Sequence, residues 1–201
     1  MRNISVLLFA ALGLLAGPVV GSSANVLPKG KFMTEYHITW AEENINGRLE
    51  LYYGYLPRAT ARLRVYHSLY DTAFNLEVTK LTLDTKINII PMPKFSCFIG
   101  TSLKEFAPFG GVLFSFVPTR LGIHLCAYGK NLVDDPVFGG MASLEYRAFP
   151  FIKIFFEGIY EQEKNIEPWL SCQIRLPVTL EIAGLLSKEE PKLFLGGYIV
   201  W

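Results

Sequence analysis

Along most of the chain, apolar and polar residues alternate one for one. In residues 31–40 one face reads Phe32, Thr34, Tyr36, Ile38, Trp40 and the other Lys31, Met33, Glu35, His37, Thr39. Side chains on a strand point to opposite faces in turn, so this pattern predicts a two-faced strand, one side apolar and the other polar. A run of about ten residues is the length that crosses a bilayer when tilted. The alternation recurs over 47–56, 59–69, 80–90, 120–129, 138–148, 151–160, 166–176 and 178–186. Residues 95–103 and 112–117 are apolar on both faces, and 193–201 form the last segment. About twelve strands are predicted, with ten as the alternative.

The connections between these segments are of two kinds, and the two kinds alternate. One is short and carries proline: Pro57, Pro91 with Pro93, Pro118, Pro150 and Pro177. The other is longer and mostly polar: 41–45, 70–79, 104–110, 130–137, 161–165 and 187–192. Outer-membrane barrels combine short periplasmic turns with longer outside loops. A chain that starts in the periplasm puts every proline turn there and brings its C-terminus back to the same side. The fold class expected is therefore all-β, a single antiparallel up-and-down transmembrane β-barrel.

Composition sharpens this. Charged residues are 18% of the chain, against about 25% in soluble proteins. The net charge of +1 gives no electrostatic case for nucleic acid. Arg2, the apolar run from Val6 to Ala16, and Ser22-Ser23-Ala24 read as a signal peptide over residues 1–24, leaving 25–201 as the barrel. No later stretch could be a transmembrane helix; the most apolar, 106–117, is broken by Pro108 and Gly110-Gly111. Cys97, Cys126 and Cys172 are odd in number and widely spaced, which suits small strand side chains and not a disulfide framework or zinc site. A soluble sandwich or lipocalin-like barrel also alternates. Against it stand the export signal, the low charge, and aromatic residues near strand ends (Trp40, Tyr55, Phe149, Tyr160, Trp201), as interfacial girdles require. The expected setting is the outer membrane of a diderm bacterium, with the lipid bilayer as partner.

The terminal strand, Leu193-Phe194-Leu195-Gly196-Gly197-Tyr198-Ile199-Val200-Trp201, resembles the C-terminal signature of outer-membrane β-barrel proteins. In that family a final aromatic residue, preceded by apolar residues at alternate positions, is read by the barrel-assembly machinery. Trp201, Ile199, Leu195 and Leu193 match, and Gly197 departs from the pattern. The resemblance implies that Trp201, Ile199 and Leu195 act as the membrane-assembly signal. A narrower resemblance runs through Leu144-Glu145-Tyr146-Arg147-Ala148-Phe149-Pro150 and on to Glu157, which is similar to the hairpin of YjbH-type barrels. Those proteins are linked to exopolysaccharide production. The segment from Thr85 to Pro91, followed by Cys97-Phe98-Ile99-Gly100, is also similar to their proline-turn repeat, although this chain is much shorter than typical members.

The chemistry is expected in the lumen. The predicted inner face carries ten cations (Lys31, Arg48, Arg62, Arg64, Lys80, Lys86, Arg120, Arg147, Lys153, Arg175) against six carboxylates (Glu35, Glu50, Asp84, Glu145, Glu157, Glu181). The lumen-lining candidates are Arg48, Glu50, Arg62, Arg64, Lys86, Arg120, Glu145, Arg147, Lys153, Glu157 and Arg175. Such charges either pair across strands and close the bore or line a wet path that favours anions. In the second case Arg48, Arg62 and Arg64, on neighbouring strands, are the expected selectivity element. A non-enzymatic channel or export barrel for small hydrophilic or glycan solutes is thus expected. The alternatives are a structural or assembly barrel plugged by its own charges, and an outer-membrane lipase. For the lipase, no G-x-S-x-G accompanies His37, His67 or His124. His37 and His124 read as lumen polar residues, and His67 falls on the lipid face. No metal-ligand spacing, nucleotide loop or cofactor motif is present.

Overall fold

The computed structural model describes residues 25–41, 44–70, 75–187 and 191–201. The predicted signal peptide and the middle of three loops lie outside these residues. The described chain forms twelve strands: β1 (Phe32–Ala41), β2 (Asn44–Leu56), β3 (Ala59–Tyr70), β4 (Asn75–Pro91), β5 (Lys94–Ser102), β6 (Ala107–Phe116), β7 (Leu121–Lys130), β8 (Val137–Phe149), β9 (Ile152–Glu161), β10 (Glu167–Arg175), β11 (Thr179–Leu185) and β12 (Lys192–Val200). Each pairs antiparallel with its neighbour in sequence, and β12 returns to pair with β1, closing the barrel. Closure leaves no strand edge unpaired, the condition for a sheet to stand in hydrocarbon. No helix among the described residues is long and apolar enough to cross a membrane.

The orientation of the faces separates the two kinds of barrel left open by alternation alone. Leu51, Leu83, Ile87, Ile99, Ile123, Leu125, Leu144, Phe156, Leu170, Leu180 and Ile182 are all exposed on the outside. Glu50, Arg62, Asp84, Lys86, Glu145, Lys153, Glu157 and Glu181 are buried on the inside. A soluble barrel has the reverse arrangement, and an apolar belt of this extent matches a lipid-facing surface. Even the histidine on the outside is covered. His67 stacks on Tyr36 at 5.8 Å between ring centroids, and its Nε2 lies 3.2 Å from the Tyr36 hydroxyl. Its ring fills the space that a Cβ at Gly47 would occupy.

The proline turns close each hairpin at one end. β2, β4 and β8 each carry a register shift just before such a turn, at Gly54/Leu56, Asn88/Ile90 and Arg147/Phe149. Bulges of this kind tighten local twist at a barrel rim. At the opposite end β2, β4 and β6 begin well before the predicted starts, at Asn44, Asn75 and Ala107, so the loops there are shorter than expected.

Candidate functional site

Register decides which inward side chains meet. In the β1–β2 pair, Glu35 lies opposite Glu50 and His37 opposite Arg48. Two carboxylates across a ladder repel one another. They are held because the Tyr52 hydroxyl lies 2.7 Å from an oxygen of each, placing its one hydrogen between them, and because Arg48 reaches Glu50 at 2.6 Å. The network continues onto β3 and β4. Arg62 contacts Glu50 at 3.4 Å and Asp84 at 3.0 Å, and Arg64 contacts the same two carboxylates at 3.2 and 3.1 Å. Arg62 also lies over the Tyr52 ring, and Arg64 over Phe109.

His37 joins this network in a defined tautomer. An Arg48 terminal nitrogen lies 3.0 Å from Nδ1, and a guanidinium has only donors to offer, so Nδ1 accepts. The ring hydrogen then sits on Nε2, which faces Glu35 at 2.8 Å and Glu181 at 3.7 Å. Gly196 lies opposite His37 on β12, and a Cβ there would come within 3.2 Å of the imidazole. Glu35, His37 and Glu50 bring ligand atoms within 4.8 Å of one another, a spacing a metal ion could use. In this structure the same groups engage Tyr52, Arg48 and one another.

A second network lies on β6 to β9, towards the proline turns. Ser115 Oγ is 2.9 Å from His124 Nδ1, and His124 Nε2 is 3.1 Å from Glu145. Glu145 also receives Arg147 at 2.6 Å and Lys153 at 3.1 Å. Serine, imidazole and carboxylate in a row have the order of a hydrolytic triad. All three are sealed inside the wall, however, and the carboxylate is shared with two cations, so the array neutralises charge and presents no nucleophile to a solute.

The vertical arrangement of these groups is their main chemical feature. Carboxylates are short and lie against the wall; arginines are long and lie over them. Side-chain exposure is 28% for Arg48 against 3% for Glu50, 14% for Arg64 against 0% for Asp84, and 35% for Arg147 against 1% for Glu145. In these three pairs the guanidinium is the more exposed partner, whereas Arg62 is nearly as buried as the carboxylates it meets.

The opposite side of the lumen differs. Phe155, Trp169, Ala183, Leu185 and Phe194, all on inward positions of β9 to β12, form a buried apolar cluster with Ile159 against it. Phe194 meets the His37 ring edge-on at 4.6 Å, which joins the cluster to the ionic network. Glu157 lies beneath this cluster on β9, bonded by the Ser171 hydroxyl. An inner face expected to be polar gave no warning of this patch. Its only trace is the apolar residue interrupting the polar side of each strand, as Phe155 does between Lys153 and Glu157.

Of the remaining sequence candidates, Lys86 is buried on the inner face of β4, and Arg175 is half-buried at the end of β10. Arg120 is a correction: it lies in the exposed turn before β7, outside the strands, because β7 begins at Leu121. Lys80 is likewise exposed, on the part of β4 next to the register shift at Tyr66/His67. Trp201 follows β12 directly and exchanges backbone hydrogen bonds with Phe32, while Ile199 and Leu195 point outward.

No protein-family model matches the sequence, and no curated protein matches it. Solved structures do match in fold. The KdgM porin, in a complex with disordered oligogalacturonate, aligns with a TM-score of 0.65 at 8% identity, covering 83% of this chain and 98% of that one. An outer-membrane channel from Pseudomonas putida F1 aligns at 0.60 and 12% identity over 92% of this chain and all of its own, 100%. The NanC porin aligns at 0.57 and 11% identity over 83% of this chain and 98% of that one. At such identities the likeness is one of fold: this chain has the architecture of a porin-type barrel.

Proposed function

We propose that the protein is a narrow, non-enzymatic outer-membrane channel for small anionic solutes, acidic saccharides among them. The observation that carries the reading is the layering of charge, with arginine heads over buried carboxylates on β2, β3 and β8. Strand number supports it. Side chains just fill a barrel of about eight strands. Barrel diameter grows with strand number, so twelve strands enclose a wider lumen than eight. The KdgM porin complex with oligogalacturonate has this barrel architecture, and an acidic glycan would also agree with the YjbH-type resemblance of the hairpin around Pro150. Export through residues 1–24 and insertion guided by the strand ending in Trp201 belong to the same proposal.

Recordings from the purified protein in planar bilayers test it. Discrete steps with an anion-selective reversal potential are expected, and Arg64→Gln combined with Arg147→Gln should move that potential towards zero. The absence of steps from folded protein would overturn the reading. One observation favours a second reading, a barrel plugged by its own side chains: Glu50, Arg62, Asp84, Glu157 and Glu181 are all buried. A silent wild type would favour that plug.

A further inference from the structure

The segment before β1 does not lead away from the barrel. Residues 28–31 make a β-turn, closed by Lys31 N–H donating to Pro28 O at 3.1 Å. Gly30 takes the positive φ of 79° that the third position of such a turn requires. The turn sends residues 25–28 back into the proline-turn end of the lumen. There Leu27 is 3% exposed, and its N–H donates to Thr60 Oγ1 at 2.7 Å. Asn25 Oδ1 accepts from the Lys94 ammonium at 2.7 Å. Gly30 N–H donates to Gly54 O at 2.7 Å, and Gly54 N–H to Lys31 O at 3.0 Å. The contacts run from β2 (Gly54) through β3 (Thr60) to β5 (Lys94), four adjacent strands of the twelve.

Gly54 shows how closely this strap is fitted. It occupies an inward position, and a Cβ there would lie 2.1 Å from Pro28 O, 2.8 Å from Pro28 C and 2.9 Å from Leu27 O. All three atoms belong to the strap. A glycine inside a strand commonly marks the close approach of another backbone, and here that backbone is the chain's own leading segment.

We infer that residues 25–28 set the size limit of the conduit at its proline-turn end, with exposed Pro28 as the specificity-determining residue and buried Leu27 as its anchor. The inference rests on the channel reading above. Bore diameter there is fixed by a strap held through a few polar contacts, and only one sector of the barrel wall carries it. Arg48 and Arg64 would select by charge further inside, whereas Arg147 stands at the same proline-turn end as the strap.

Gly54→Ala is the decisive variant, since the three atoms nearest its added methyl all belong to the strap. Leu27→Ser, which removes the buried apolar anchor, is its companion. Both are compared with wild type as full chains in planar bilayers, with polyethylene glycols of graded size as blockers, and heat-modifiable gel mobility confirms the folded barrel. Gly54→Ala should raise single-channel conductance by about twofold or more and admit larger polymers, because passage depends on pore diameter. Equal conductance and polymer cut-off in all three folded proteins would overturn the strap and leave the channel standing. Silence from all three would overturn the channel reading, and the strap inference would fall with it.

Discussion

The two sides of the lumen solve one problem in opposite ways. On β2 to β4, five charged side chains (Arg48, Glu50, Arg62, Arg64, Asp84) fill the inner wall by pairing. On β9 to β12, Phe155, Trp169, Ala183, Leu185 and Phe194 fill it by apolar packing. An ion pair taken out of water recovers its desolvation cost only with good geometry and extra hydrogen bonds. Glu50 meets that condition by engaging Arg48, Arg62, Arg64 and Tyr52 together. The apolar side needs no partners and offers nothing to a charged solute. Under the channel proposal, both walls contribute stability and only the ionic one contributes selectivity.

Removing the hub of the ionic side should have the largest effect. Glu50→Ala leaves three arginines without their shared counter-ion, and breaking buried pairs in this way costs about 3–5 kcal/mol. Urea unfolding in detergent micelles should report that loss, with stronger anion preference in whatever folds. A cost below about 1 kcal/mol, the level of exposed pairs, would mean that the arginines turn into water and the wall is wet throughout. On the apolar side, Ala183→Leu overfills the cluster and should cost about 1–3 kcal/mol. Its reversal potential should match wild type; a shifted potential would erase the division of labour between the walls. At the rim, Lys164→Ala removes a lysine that is 70% exposed and bonded to Glu161. An exposed pair of this kind contributes about 0.5 kcal/mol or less, so unfolding should barely change, and this variant gives the baseline for the other two.

Much of this fold is legible in the sequence because a strand between lipid and a polar lumen must alternate strictly. Where that demand ends, so does the signal. The early parts of β2, β4 and β6 carry Asn44 to Asn46, Asn75 to Thr79 and Ala107 to Gly111, where a wet outer surface no longer enforces an apolar face. They read as loop and fold as strand. Alternation also gives the face but not the register. That Arg48, Arg62 and Arg64 point inward is legible, whereas their convergence on Glu50 and Asp84 depends on which residue stands opposite which. Arg120 has the correct parity for the inner face and still lies outside the wall, since parity carries no information about where a strand begins. The inner apolar cluster is invisible for a related reason: five residues from four strands become one patch only once β9 to β12 have paired in register.

That closure bears on how the chain can be made at all. The seam pairs Met33 with Val200 and Ala41 with Lys192, residues separated by nearly the full length of the chain. Contacts so distant in sequence are slow to form, because the entropy of loop closure is lost before any bond is gained. Until β12 arrives, β1 and β11 each present a row of unsatisfied backbone groups, which hydrocarbon does not tolerate. A half-built cylinder is therefore not a partly stable intermediate within the bilayer. Any truncation or pause that delays Lys192–Val200 should leave a chain that is degraded or aggregated and never a smaller working barrel.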